Sequence, residues 1–87
     1  MSDTHPIRFL RLPDVERQTG LSRSTLYAQI QVGQWPRAVR IGPRAVGWPA
    51  HEVARINEAR LAGEPDVKIA ALVSNLLEER RTAAQAP

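Results

Sequence analysis

The sequence predicts a mostly α-helical domain carrying one small β-hairpin, and three observations predict it. Two short helical stretches meet across Gly20-Leu21-Ser22. Val39 and Ile41 alternate with Arg40 just ahead of a Gly42-Pro43-Arg44 turn. Ile69, Leu72, Val73, Leu76 and Leu77 recur at spacings of three and four, the period of one helix face. A chain of 87 residues has room for one such domain. Its 43% apolar and 24% charged content is that of a folded rather than a disordered chain.

Met1 to Arg8 show no period and read as a frayed start. The first helix opens at LPDVERQTG. Pro13 suits a first turn, where its missing N–H has no partner to lose. Asp14 and Glu16 favour the positive end of the helix dipole. Gly20 supplies the stop, because glycine enters the left-handed conformation without a Cβ clash. Ser22 is an N-cap for the second helix, which runs from Arg23 to Val32 and ends at Gly33. Leu26 and Ile30 form its inner side with Leu21 nearby. Arg23, Ser24, Tyr27, Ala28 and Gln31 fall on the other side.

The hairpin follows, with Val39 to Ile41 as one strand and Ala45 to Trp48 as the other, bracketed by Trp35 and Trp48. Pro49 then introduces a third helix from His51 to Leu61. Gly63-Glu64-Pro65-Asp66 breaks it, and a fourth runs from Val67 to about Arg81. The expected core is Leu12, Val15, Leu21, Leu26, Ile30, Val39, Ile41, Val46, Val53 and Ile56, with Trp35 and Trp48 as anchors. The order helix, turn, helix, hairpin, helix, helix is that of a winged helix-turn-helix with a C-terminal helical extension. The expected boundaries are a flexible N-terminus over 1–9, the winged helix-turn-helix over 10–62, the last helix over 63–82 as a segment that can oligomerise, and a tail over 83–87.

Composition narrows the function classes. With no cysteine, disulfide frameworks and thiolate metal sites are excluded. No apolar run approaches the roughly 20 residues of a membrane span, and no apolar signal core opens the chain. A cytoplasmic, nucleoid-associated protein without membrane contact is therefore expected. His5 and His51 lie far apart, and no Ser/His/acid set, phosphate-cradling glycine loop or metal-spaced cluster occurs. Neither enzyme activity nor a cofactor is expected. The charge, by contrast, is informative. Residues 1–48 hold seven arginines against three acidic residues, whereas 49–87 hold five basic and six acidic residues. Eleven of the twelve basic residues are arginine, whose guanidinium forks onto phosphate oxygens and onto the guanine edge.

The order of motifs resembles the AlpA family of prophage regulators. TGLSRSTLY (Thr19 to Tyr27), the Gly-x-aromatic-Pro turn from Gly33 to Pro36, VRIGPRAVGW (Val39 to Trp48) and a helix opening near Glu52-Val53 carry the resemblance over roughly residues 10–60. The family belongs to a wider group with the MerR-like DNA-binding domains and phage excisionases. Two positions depart from the pattern: Trp35, where the family more often has phenylalanine, and Ala28-Gln29, where a basic residue is common. Residues 64–87 lie outside the match.

The resemblance implies a duplex-DNA-binding protein of a mobile element, and the residues fit that chemistry. A helix fills the major groove, where every base pair shows a distinct donor and acceptor pattern. Arg23, Ser24, Thr25, Tyr27 and Gln31 are the candidate readers and phosphate contacts on the second helix. Arg37, Arg40 and Arg44 on the hairpin are placed to meet the adjacent minor groove or its phosphates. Local roles compete with these: Ser24 can assist capping, Thr25 can bond back to a carbonyl, and Tyr27 can pack under the wing. The last helix has three readings, folding back on the domain, pairing with another copy, or touching the DNA backbone.

Two functions share the DNA-binding premise. One is an excisionase, or recombination directionality factor, whose copies stack head to tail on repeats beside an attachment site and turn an integrase towards excision. The other is a transcriptional regulator of prophage genes without a recombination role. The chain shows no ligand-sensing domain and no long dimerising coiled coil, which favours the first. A protein-interaction adaptor acting through the last helix is the alternative of another class.

Overall fold

The computed structural model describes residues 7–85. Seven elements follow in order: β1 (Phe9–Leu10), α1 (Leu12–Thr19), α2 (Arg23–Gln31), β2 (Val39–Gly42), β3 (Ala45–Pro49), α3 (Ala50–Leu61) and α4 (Asp66–Gln85). The mostly helical winged helix-turn-helix with a helical extension is the observed architecture.

The local signals act where the sequence places them. Pro13 lies in the first turn of α1. Gly20, at φ 73°, ends that helix and donates its N–H to the Glu16 carbonyl at 2.8 Å. Ser22 caps α2: its Oγ accepts the Thr25 N–H at 3.2 Å. The Asn57 side chain of α3 donates to the Gln18 carbonyl at 2.9 Å, so the orphaned end of α1 is tied to α3.

The sheet differs from the expected lone hairpin. It has three antiparallel strands in the order β1-β3-β2, with Phe9 opposite Pro49, Leu10 opposite Trp48, and Val39 opposite Gly47. The reading of residues 1–9 as a flexible start is corrected at its end. Phe9 is in the sheet, and the Arg8 carbonyl accepts the Ala50 N–H at 2.7 Å. Residues 1–6 of that segment lie outside the described residues. At the other terminus, the helix continues through residues 83–85, which the sequence reading placed in a tail.

One core joins all the layers. Leu10, Val15, Leu26, Trp35, Trp48, Val53, Ile56, Ile69, Val73 and Leu76 are buried together. Leu12, Leu21, Ile30, Leu72 and Leu77 pack partly against them. Three expected core residues are corrected, and the first, Val39, is only half-buried and stands outside this packed set. Ile41 and Val46 are 38% and 39% exposed, because β2 and β3 carry them out along the wing beyond the helices that would cover them. Trp35 and Trp48 are buried, as anchors should be.

The last helix folds back. Ile69, Val73 and Leu76, its inward stripe, are the core's outer wall. The Arg55–Glu79 ion pair links its distal half to α3. At the near end Arg60 donates to Asp66 and to Gln34, and Gln34 donates to the Asp66 carbonyl. Gln34 is spent on this corner.

Candidate nucleic-acid interface

α2 turns Leu26 into the core and leaves Arg23, Ser24, Thr25, Tyr27, Ala28 and Gln31 on the surface. The helix is amphipathic by necessity, since Leu26 and Ile30 are one turn apart while the polar residues occupy the remaining arc. Arg37, Arg40 and Arg44 are likewise exposed, at the base, side and tip of the wing. All eight residues singled out from the sequence therefore face solvent.

Several are held in place. The Arg23 guanidinium lies 5.6 Å from the centroid of the Tyr27 ring, a cation–π distance. That ring meets the Trp48 indole edge-on, with centroids 6.5 Å apart and planes at 68°. The Trp48 Nε1–H in turn donates to the Pro36 carbonyl at 2.8 Å. A continuous chain of contacts thus runs from the start of α2, through Tyr27, to β3 and the base of the wing. Tyr27 packs against the wing and still keeps 38% of its surface exposed.

Thr25 does not bond back to a carbonyl. Its Oγ1 accepts from Ser22 Oγ at 3.0 Å, which joins it to the helix cap and leaves its own hydroxyl proton for an outside acceptor. Arg40 curls over its own turn, donating to the Gly42 carbonyl at 3.4 Å and the Pro43 carbonyl at 3.3 Å. Both contacts are long and exposed, so little opposes their exchange for a phosphate.

Two supporting residues were not found by sequence reasoning. Glu52, in the first turn of α3, is 1% exposed. Arg80 of α4 forks onto both its carboxylate oxygens, at 2.6 and 2.8 Å. The same guanidinium donates to the Arg37 carbonyl at 3.0 Å. A first-turn glutamate normally reads as a solvated partner of the helix dipole. Its cationic partner lies 28 residues on, and no local pattern announces it.

Among the described residues, no cluster of three or more histidine, cysteine or acidic side chains is grouped to hold a metal. No helix there is long and apolar enough to cross a membrane.

The exposed, arginine-bearing face of α2, joined through a tight turn to α1 and followed by an arginine-bearing β-wing, makes a winged helix-turn-helix. Residues 8–61 match the family described as Prophage CP4-57 regulatory protein (AlpA), and the chain belongs to that family. It is also 45% identical over 56 residues to the uncharacterized protein ORF88 of Enterobacteria phage P4. That alignment takes in 64% of this chain and 64% of the relative's length. No solved structure matches. The family match ends ahead of α4.

Proposed function

We propose that the protein binds duplex DNA sequence-specifically and acts as an excisionase of its mobile element. In this reading α2 enters the major groove, with Arg23 at its leading end as the guanine or phosphate contact. Ser24, Thr25, Tyr27 and Gln31 follow along the groove wall. The wing lies over the adjacent minor groove, with Arg44 at its tip and Arg37 and Arg40 behind it. The observation that carries the reading is the shared exposure of these eight side chains on α2 and the wing, joined by the Tyr27–Trp48 contact.

The fate of α4 favours the excisionase over a dimeric regulator or an adaptor. Ile69, Val73 and Leu76 of its apolar stripe are buried in the chain's own core and Leu72 and Leu77 pack partly against it, which leaves little of the stripe for a coiled coil or a partner. A winged unit whose last helix is committed to its own core suits head-to-tail binding of several copies along repeated sites beside an attachment site, where bent DNA turns an integrase towards excision. The second reading, transcriptional control alone, is favoured by the regulatory role that the family's description prints.

Footprinting on DNA flanking the protein's own gene and the nearest attachment site tests both. Several adjacent protected repeats near the attachment site, bound more tightly as a tandem array than singly, support the excisionase. One protected site over a promoter, bound equally well in isolation, supports the regulator. A salt titration tests the shared premise: four to six phosphate contacts give a log–log slope of about −4 to −5. A flat response overturns DNA binding.

A further inference from the structure

We infer that Arg80 and Glu52 are positioning residues for the wing, so that α4, which lies beyond the family match, sets the DNA-contacting geometry of Arg37. The inference rests on the DNA-binding reading only for what Arg37 touches.

The geometry is a clamp on two successive carbonyls. The Pro36 carbonyl accepts from Trp48 Nε1 at 2.8 Å, and the Arg37 carbonyl accepts from Arg80 Nη2 at 3.0 Å. The first donor belongs to the wing's own β3, whereas the second comes from the far end of the chain. Between them they fix the peptide groups from which β2 departs, while the Arg37 side chain stays exposed. Arg80 can serve as a rigid donor because it is itself fixed. Its planar fork is locked on the Glu52 carboxylate, and the pair is 16% and 1% exposed. Glu52 is in turn held in the first turn of α3, immediately after β3. The brace therefore ties α4 and α3 to the base of the wing through one guanidinium. A pair serving only to pack α4 on α3 would be complete with the two carboxylate contacts. The third, to Arg37, is the one that reaches the wing.

The test replaces both charges at once, because removing one alone would bury an unpaired ion. Glu52→Met/Arg80→Met is compared with the parent for thermal stability, backbone amide NMR shifts and DNA binding. The expected result is a folded protein whose Arg37 to Ile41 amide signals move. Its DNA affinity falls about fivefold, a coupling of the size typical for contacting residues. Its salt slope flattens by about 0.9, the share of one phosphate contact. Arg37→Ala should then weaken binding in the parent but add little in the Met pair. If the Met pair fails to fold, Arg80→Lys keeps a cation beside Glu52 without the fork and is read in the same way. Unmoved wing signals, or an Arg37→Ala loss equal in both backgrounds, overturn the brace. Absence of DNA binding by the parent at low salt overturns the functional reading instead, and the amide shifts then decide the brace alone.

Discussion

The ring of Tyr27 stands edge-on to the indole of Trp48, 6.5 Å between centroids, and so couples the exposed face of α2 to the wing. Tyr27 also carries the Arg23 guanidinium over its ring. One aromatic side chain thus orients Arg23 at the start of α2 and fixes that helix against β3. In a helix-turn-helix with a wing, the two DNA-contacting elements must keep one separation and one angle to fit adjacent grooves. Here that relation is built from aromatic packing rather than from a backbone link.

Removing the ring and removing the hydroxyl should therefore have different consequences. Tyr27→Ala is expected to lose the roughly 1 kcal/mol of the aromatic pair and, with the buried part of the ring, about 1–2 kcal/mol more, and to weaken DNA binding by freeing Arg23. Tyr27→Phe keeps both ring contacts and should leave the urea midpoint unchanged, with only a uniform loss of affinity as the hydroxyl leaves its phosphate. Urea denaturation beside DNA titration checks this. Equal destabilisation by both variants would show that the hydroxyl, not the ring, is the structural part.

The arginines of α2 and of the wing should fail in different ways. Arg23→Ala is expected to cost about 1–3 kcal/mol of binding and to relax the preference at one base pair. Arg44→Ala should weaken binding to all sequences alike and flatten the salt slope by about 0.9. Binding measured across a set of single-base variants, at several salt concentrations, separates the two. A wing substitution that changed base preference would move the specific contact from α2 to the hairpin.

Much of this was legible in the sequence because its signals are local. The Gly20 stop, the Ser22 cap and the 3.6-residue stripe of α4 each depend on neighbours a few residues away. So does the exposure of Arg23, Ser24 and Tyr27, which follows from where Leu26 must point. The illegible parts are set by distant partners. β1 is two residues long and exists because β3 offers it a free edge. Ile41 and Val46 have strand period, yet period does not say whether a helix lies over the strand. Glu52 looks like a surface residue until Arg80 is brought to it by the fold.

Gly47 shows how tightly that unheralded strand is docked. A Cβ built there would meet the Leu10 carbonyl oxygen at 3.0 Å, with Ile41 Cδ1 and Phe9 Cβ at 3.3 Å. The first of these is backbone and cannot simply rotate away. Gly47→Ala should therefore lower stability by about 1–3 kcal/mol, the usual cost of overpacking, by pushing β1 off β3. Amide exchange should show lost protection at Leu10 and Trp48 ahead of the helices. An unchanged denaturation midpoint would mean that β1 contributes little to the fold.

The two tryptophans make the sharpest contrast. Both are buried, and both are indoles in the same core. Trp48 Nε1 donates to the carbonyl of buried Pro36, whereas Trp35 Nε1 has no acceptor among the described residues. Replacing Trp48 by phenylalanine removes a donor and strands a buried carbonyl, a loss of about 1–3 kcal/mol on top of the cavity term. Replacing Trp35 by phenylalanine leaves a cavity too, but it also removes a buried donor that had no partner, and the two effects oppose each other. Trp35→Phe should thus stay within about 1 kcal/mol of the parent, at a position where the AlpA pattern more often carries phenylalanine. Trp48→Phe should in addition loosen the Pro36–Arg37 peptide and, through it, the wing. Denaturant melts of the two variants, with DNA binding measured on each, decide the matter: matched losses of stability would mean that the indole nitrogen of Trp35 is as fully engaged as that of Trp48.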